Sequence, residues 1–123
     1  LGDKFPKVYQ VNWFRKDEDG AFLWPGYGDN SRVLDWIVRR AGGEVGAEKG
    51  VTGLYPKFED FNLEGVDVDR VAWDKMYDID PDAWAAEMDD TEEYFKKFGD
   101  RIPAAITEQL AKFRERIAKA KKA

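Results

Sequence analysis

Residues 80–120, DPDAWAAEMDDTEEYFKKFGDRIPAAITEQLAKFRERIAKA, predict two amphipathic helices. Asp80 can cap the first helix, with Pro81 at its first position, where a missing N–H costs nothing. Gly99 then stops this helix, and a second one follows Pro103. Apolar residues recur three and four positions apart: Trp84, Met88, Thr91, Phe95 and Phe98, and then Ile106, Leu110, Phe113 and Ile117. The short link predicts an antiparallel helix pair.

The N-terminal third favours a β-hairpin. Lys7–Phe14 (KVYQVNWF) is rich in β-branched and aromatic residues and predicts a strand. Residues 15–20 end in Asp-Gly, a turn signal, and the apolar run Ala21–Trp24 supplies the second strand before Pro25 ends it. Alternation assigns Tyr9, Val11 and Trp13 to one face of the first strand, and Val8, Gln10, Asn12 and Phe14 to the other.

The middle of the chain predicts shorter elements. Residues 31–40 have helical spacing of Val33, Leu34, Ile37 and Val38, with possible caps at Asp29, Asn30 or Ser31 and a stop at Gly42-Gly43. Residues 53–55 predict a short strand within a loop region, and residues 69–77 predict a helix that starts near Asp67 or Asp69. The fold class is therefore α+β: an N-terminal β-hairpin and short strands, followed by a predominantly α-helical C-terminal part.

Composition limits the chemistry. The 123 residues carry a net charge of −5 and contain neither histidine nor cysteine. These absences exclude disulfides, thiol nucleophiles, histidine bases and the commonest zinc ligands. The acidic balance argues against nucleic-acid binding, and no apolar run suggests a membrane span, so we expect a cytoplasmic protein. Because the sequence begins with Leu1 and not with an initiator Met, we expect a processed product or a piece of a longer chain.

Two short motifs are weak. Asp78, Asp80 and Asp82 have the opening spacing of a calcium loop, but Ala83 replaces the required glycine, so a helix cap is the better interpretation and no metal site is expected. Residues 26–31 follow the order G-x-G-x-x-S, which superficially resembles a dinucleotide fingerprint. Ser31 replaces its third glycine, and no second parallel strand follows.

The aromatic residues around this loop suggest a different site. Phe14 and Phe22 flank the predicted hairpin, Tyr27 lies just beyond it, and Asn30 stands at a helix start. Aromatic rings can stack on a flat heterocycle while an amide reads its edge. From the residues alone, however, packing of these rings in the core is the favoured alternative.

Three stretches carry a resemblance to a known family: residues 5–7 (FPK), 11–17 (VNWFRKD) and 22–34 (FLWPGYGDNSRVL). They closely resemble the C-terminal region of GTP-dependent phosphoenolpyruvate carboxykinase. The resemblance implies that residues 1–123 are a single C-terminal fragment of that enzyme's nucleotide-binding domain. Residues 1–43 would form the guanine-binding hairpin, loop and helix, and residues 44–123 a mostly helical tail.

The resemblance also implies a guanine site. In that family the base lies between phenylalanines and a motif of the form F-G-E-N lines the pocket. Phe14 and Phe22 match two aromatic positions, and Tyr27 replaces the third phenylalanine. Asn30 matches the side chain that hydrogen-bonds the guanine edge. The intervening residues are Gly28 and Asp29, the latter in place of a glutamate.

The implied reaction of the parent enzyme converts oxaloacetate and GTP to phosphoenolpyruvate, CO2 and GDP in gluconeogenesis, with Mn²⁺ or Mg²⁺. The family's metal ligands, its cysteine-bearing phosphate loop and its lid have no counterpart in this sequence. We therefore expect a fragment without catalytic or metal-binding residues, inactive alone. Its expected partners are a guanine nucleotide, the rest of the parent chain and, through an exposed former interface, itself. The alternatives are a non-catalytic purine-nucleotide-binding module and a helical protein-interaction module.

Overall fold

A computed structural model describes residues 4–122, which form two compact units. The first unit comprises residues 4–49 and 54–78, and the second comprises residues 50–53 and 79–122. Helices α1 (Asn30–Gly42) and α2 (Arg70–Tyr77) lie in the first unit, and helices α3 (Pro81–Lys96) and α4 (Ala104–Ala120) in the second. Strands β1 (Glu48–Lys49) and β2 (Leu54–Tyr55) form an antiparallel sheet in the first unit. The α+β prediction is confirmed.

The N-terminal hairpin is present but short. Lys16 and Phe22 form an isolated antiparallel bridge, supported by an N–H···O bond of 2.9 Å from Leu23 to Arg15. Gly20 takes the positive φ of 83° that the predicted turn requires. The predicted strand Lys7–Phe14 is wrong, because this stretch pairs with no strand among residues 4–122. A high strand propensity means that the side chains fit a pleated surface. A strand also needs a neighbouring backbone to hydrogen-bond with, and propensity does not provide one.

The side-chain alternation predicted for that stretch is present only in part, because Val11, assigned to the same face as Tyr9 and Trp13, is 40 % exposed. Tyr9 and Trp13 pack against the core, and the Tyr9 ring meets Trp36 edge-on at 6.1 Å between centroids. Val8 and Phe14, assigned to the opposite face, are exposed. Without a paired strand, the stretch therefore directs only Tyr9 and Trp13 of the predicted inward face towards the core.

Helix α1 confirms the helix predicted at residues 31–40, and Gly43 ends it in the left-handed conformation with φ of 82°. The predicted side-chain cap is wrong: Asp29 occupies the cap position but accepts no backbone hydrogen bond there. The predicted apolar stripe is only partly buried. Its centre is Trp36, which is 5 % exposed, whereas Leu34 and Val38 face solvent.

The sheet and α2 complete the first unit. The strand predicted at residues 53–55 is confirmed as β2, and Glu48 of β1 lies opposite Tyr55. Helix α2 begins as predicted, because the Asp69 carboxylate accepts the Ala72 N–H at 2.8 Å. Aromatic rings dominate the buried core of this unit, which consists of Trp24, Trp36, Phe61, Val68 and Trp73.

The second unit is the predicted helix pair. Asp80 caps α3 by accepting the N–H groups of Asp82 and Ala83 at 2.8 and 3.2 Å. Two ion pairs show that α3 and α4 run antiparallel. Lys121 Nζ lies 2.6 Å from Asp82 at one end, and Arg114 lies 2.8 Å from Asp89 further along α3. Met88 and Ile117, both on the predicted stripes, are buried. No helix within residues 4–122 has the length and apolar character needed to cross a membrane.

The Asp80 cap gives a first prediction. Replacing Asp80 with Ala should lower the free energy of unfolding of the second unit by about 1 kcal/mol, since two amide groups lose their acceptor. Asp90→Ala is the matched control, because this exposed carboxylate of α3 has no bond within the described chain. Urea unfolding followed by circular dichroism measures both, and equal stability of the two variants would contradict the cap.

A second prediction concerns Tyr77, whose ring stacks on Tyr55 at 4.8 Å between centroids. Burial, and then the charge of an ionised Tyr55, raise the pKa of Tyr77 from 10.0 to about 12. The folded state therefore keeps this proton where the unfolded chain has lost it. The stabilisation is complete below pH 10 and is lost as the pH rises towards 12, by about 2–3 kcal/mol in total.

Phenolate absorbance measures this ionisation directly. The titration of the unmodified chain minus that of Tyr77→Phe should give one proton with a midpoint well above pH 10. In the same variant, the fall in stability between pH 10 and 12 should be smaller. A difference curve centred at the ordinary tyrosine value would show that Tyr77 is not shielded from water.

Candidate functional site

Two phenylalanine rings stand exposed at the hairpin. Phe14 is 73 % and Phe22 55 % exposed, and their centroids lie 6.2 Å apart at an interplanar angle of 62°. The Phe14 N–H donates to Asn12 Oδ1 at 3.0 Å, and Lys16 Nζ lies 4.9 Å from the centre of the Phe22 ring. The contacts of both rings are thus local, and more than half of each side chain remains exposed.

The edge-on contact of these rings restricts what they can bind. A flat base cannot lie between Phe14 and Phe22 while the two rings touch each other. Both rings nevertheless remain more than half exposed, and exposed aromatic faces are the surfaces on which heterocycles stack. The pair therefore offers one side of a stacking site, so a clamp needs a ring from elsewhere.

The turn after the hairpin carries another exposed aromatic ring. Gly26 has φ of 107°, a conformation that favours glycine, and a 3-10 turn over Tyr27–Asp29 follows. The Asp29 N–H donates to Gly26 O at 2.9 Å and closes the turn. Gly28 has open space where a Cβ would lie. The Tyr27 ring is 96 % exposed, so this turn also presents an uncovered aromatic face.

Asn30 is held by a buried tryptophan. Its Oδ1 accepts the Trp24 indole N–H at 2.9 Å, and Trp24 is only 6 % exposed. Trp24 in turn meets Phe61 edge-on at 5.9 Å between centroids. The carbonyl end of the amide is thereby engaged, and Asn30 Nδ2 has no partner within residues 4–122. The amide group therefore has two N–H donors to offer to a ligand.

Arg32 fastens the same turn to a distant loop. Its Nε lies 2.9 Å from Asp29 Oδ1, while its Nη atoms donate to the carbonyl oxygens of Asn62 at 2.9 Å and Glu64 at 2.8 Å. Asp29 is thus paired within the chain, and its charge is locally compensated. The planar, five-donor guanidinium suits such a set of acceptors.

The predicted site residues are therefore placed in three small groups. Phe14 and Phe22 touch each other, Asn30 lies against Trp24, and the turn containing Tyr27, Gly28 and Asp29 connects them along the chain. The sequence reasoning gave no role to Trp24 or Arg32. The available signal for Trp24 was general: a buried indole N–H needs a hydrogen-bond partner.

Two open cavities of about 460 Å³ each lie elsewhere in the first unit. Aromatic and charged residues line the first, including Tyr55, Tyr77 and Arg70, and the second lies beside Asp35 and Asn62. Neither includes a predicted site residue. Across residues 4–122, no cluster of three or more acidic side chains could hold a metal ion.

Comparisons with known proteins give a consistent result. A family model described as the phosphoenolpyruvate carboxykinase C-terminal P-loop domain matches residues 1–116. A relative named phosphoenolpyruvate carboxykinase (GTP) from Corynebacterium efficiens is 43 % identical over 116 residues, covering 94 % of this chain and 19 % of the relative.

Further relatives carry the same name. That of Corynebacterium glutamicum is 43 % identical over 119 residues, covering 97 % of this chain and 20 % of the relative. That of Chlamydia caviae is 44 % identical over 108 residues, covering 87 % of this chain and 18 % of the relative. The chain thus spans about a fifth of the length of the curated relatives it matches.

The Arg32 contacts give the third prediction. Arg32→Ala should destabilise the first unit by about 1–2 kcal/mol, because several charge-assisted hydrogen bonds are lost together. Amide hydrogen exchange at residues 26–30 should become faster. Arg32→Lys should not restore stability, since one ammonium group cannot replace the planar fork.

Arg70→Ala is the matched control. Arg70 also forms two ion pairs, with Glu59 and Asp74, but its side chain is 58 % exposed. Its removal should change stability by less than about 1 kcal/mol. An Arg32→Ala variant no less stable than Arg70→Ala would contradict the proposed fastening of the turn.

Proposed function

The chain belongs to the phosphoenolpyruvate carboxykinase C-terminal P-loop domain family, and on that premise we propose that it forms the guanine-binding wall of a GTP-dependent phosphoenolpyruvate carboxykinase. The parent enzyme would convert oxaloacetate and GTP to phosphoenolpyruvate, CO2 and GDP. In this proposal, residues 1–123 are a C-terminal part of the enzyme's nucleotide-binding domain. Residues 1–43 contain the guanine site, and residues 44–123 are a mostly helical tail.

The proposal rests on exposed aromatic rings that lie close in sequence to the Asn30 amide, which is held by a hydrogen bond from Trp24. Aromatic side chains normally gain stability from burial, yet Phe14, Phe22 and Tyr27 remain mostly in solvent. Exposed rings that bind a base recover that burial in the complex. One ring of the Phe14–Phe22 pair takes one face of guanine, and Tyr27 takes the other.

Asn30 supplies the specificity in this proposal. Guanine presents O6 and N7 as neighbouring acceptors, whereas adenine presents N7 beside a donating 6-amino group. With Oδ1 occupied by Trp24, Asn30 offers N–H donors, which match guanine and meet the adenine amino group donor to donor. A site that reads a base by hydrogen bonds penalises the wrong base, because its polar groups are then left unpaired.

In this proposal, the triphosphate of GTP is bound by the part of the parent enzyme outside this chain. The chain is acidic, with a net charge of −5, which disfavours a triphosphate site. Residues 4–122 also lack side chains grouped to hold the Mn²⁺ or Mg²⁺ expected for the family. The fragment would accordingly be inactive alone and would act in a cytoplasmic enzyme of gluconeogenesis.

The fourth prediction tests this assignment in the complete carboxykinase. Phe14→Ala and Asn30→Ala should each raise KM for GTP about tenfold, since each removes a contact worth about 1–2 kcal/mol. The value of kcat should change less, because neither side chain reaches the transferred phosphoryl group. Steady-state kinetics at varied GTP measure both constants.

Phe5→Ala is the control, because Phe5 is similarly exposed, at 60 %, but lies outside the proposed site. This variant should keep the original KM. If KM for GTP stayed unchanged in both Phe14→Ala and Asn30→Ala, the guanine site would lie elsewhere. The exposed rings would then be better explained as an apolar contact surface.

A further inference from the structure

We propose that Trp24 is a positioning residue that fixes the orientation of the Asn30 amide and thereby makes the site select 6-oxopurines over 6-aminopurines. This inference rests on the proposed guanine-binding function. It goes further by assigning the selectivity to a residue that does not itself need to touch the base. The carrying contact is the 2.9 Å hydrogen bond from Trp24 Nε1 to Asn30 Oδ1.

The indole can hold the amide in only one of its two orientations. An indole N–H is a donor without acceptor capacity, so only the carbonyl end of an amide can face it. The two ends of an asparagine amide are nearly the same size, and packing alone therefore selects poorly between them. The Trp24 hydrogen bond supplies the difference in energy.

Trp24 is itself unable to turn away. It is 6 % exposed and belongs to the buried cluster that also contains Trp36, Phe61 and Trp73. Rotating the indole would disturb the edge-on contact with Phe61 and leave a buried donor without a partner. The core of the first unit therefore transmits its rigidity to the amide.

The orientation of the amide determines which base is accepted. With Oδ1 facing Trp24, the Asn30 NH2 group can donate to the O6 or N7 acceptors of guanine. If the amide were reversed, its carbonyl would accept from the 6-amino group of adenine and repel O6. Loss of the Trp24 donor thus makes both orientations accessible and reduces discrimination.

The test measures the ratio of kcat/KM for GTP to kcat/KM for ATP in the complete carboxykinase. Trp24→Phe should lower this ratio about fivefold or more, because one hydrogen bond no longer selects the orientation. Replacing Trp24 with 3-benzothienylalanine, which has sulfur in place of the N–H, keeps the ring shape and should give the same loss. The ratio of kcat/KM for ITP to kcat/KM for ATP should fall in the same way, because ITP retains the 6-oxo group.

Trp36→Phe is the matched control. Trp36 is a buried indole of the same cluster, 5 % exposed, but its Nε1 has no hydrogen-bond partner in the described residues. Its replacement by Phe costs packing without removing a hydrogen bond seen in the described residues. It should therefore lower activity with both nucleotides alike, if at all, and leave the ratio unchanged.

A double variant shows whether Trp24 acts through Asn30. In an Asn30→Ala background, replacing Trp24 should produce no further change in the GTP/ATP ratio. If Asn30→Ala lowers the ratio but neither Trp24 replacement does, the positioning role is overturned and the guanine site stands. If Asn30→Ala and Phe14→Ala leave KM for GTP unchanged, the proposed site is overturned, and the role of Trp24 with it.

Discussion

The buried aromatic cluster is the constraint on which the first unit depends. Its strands contain two residues each, and α2 has only eight, so neither ladders nor helix propensity can hold it together. The stability of the unit therefore comes mainly from the packing of its buried aromatic rings, Trp24, Trp36, Phe61 and Trp73. Because Trp24 also holds Asn30, the same cluster that stabilises the unit positions the amide of the candidate site.

The chain uses its aromatic residues in two different ways. Some rings are buried and define the core, whereas Phe14, Phe22 and Tyr27 are displayed on a hairpin and a glycine-led turn. The buried rings form a rigid core, and the exposed rings beside it are accessible to a ligand. A binding site requires both properties. Arg32 strengthens this arrangement by joining the turn to the loop at residues 62–64.

Local signals made much of the fold predictable. The caps at Asp69 and Asp80 and the stop at Gly43 act within a few residues, so sequence spacing is enough to find them. The strand at residues 7–14 failed because a ladder needs a distant partner that propensity cannot supply. The helix stripe of α1 was misjudged for the same reason: tertiary packing centred its buried face on Trp36.

The candidate site was predictable as a set of residue types but not as a geometry. The residues alone favoured core packing, and the family resemblance selected the three rings and Asn30. Neither indicated that Phe14 and Phe22 touch edge-on or that Trp24 engages the amide. Such contacts depend on side-chain positions fixed by the whole unit. A crystal structure of the complete carboxykinase with bound GDP is the most direct measurement of the central claim. The account predicts guanine stacked on Tyr27 and one ring of the Phe14–Phe22 pair, with Asn30 Nδ2 bonded to its edge and Oδ1 still bonded to Trp24. Guanine bound elsewhere, with these rings uncovered, would contradict it.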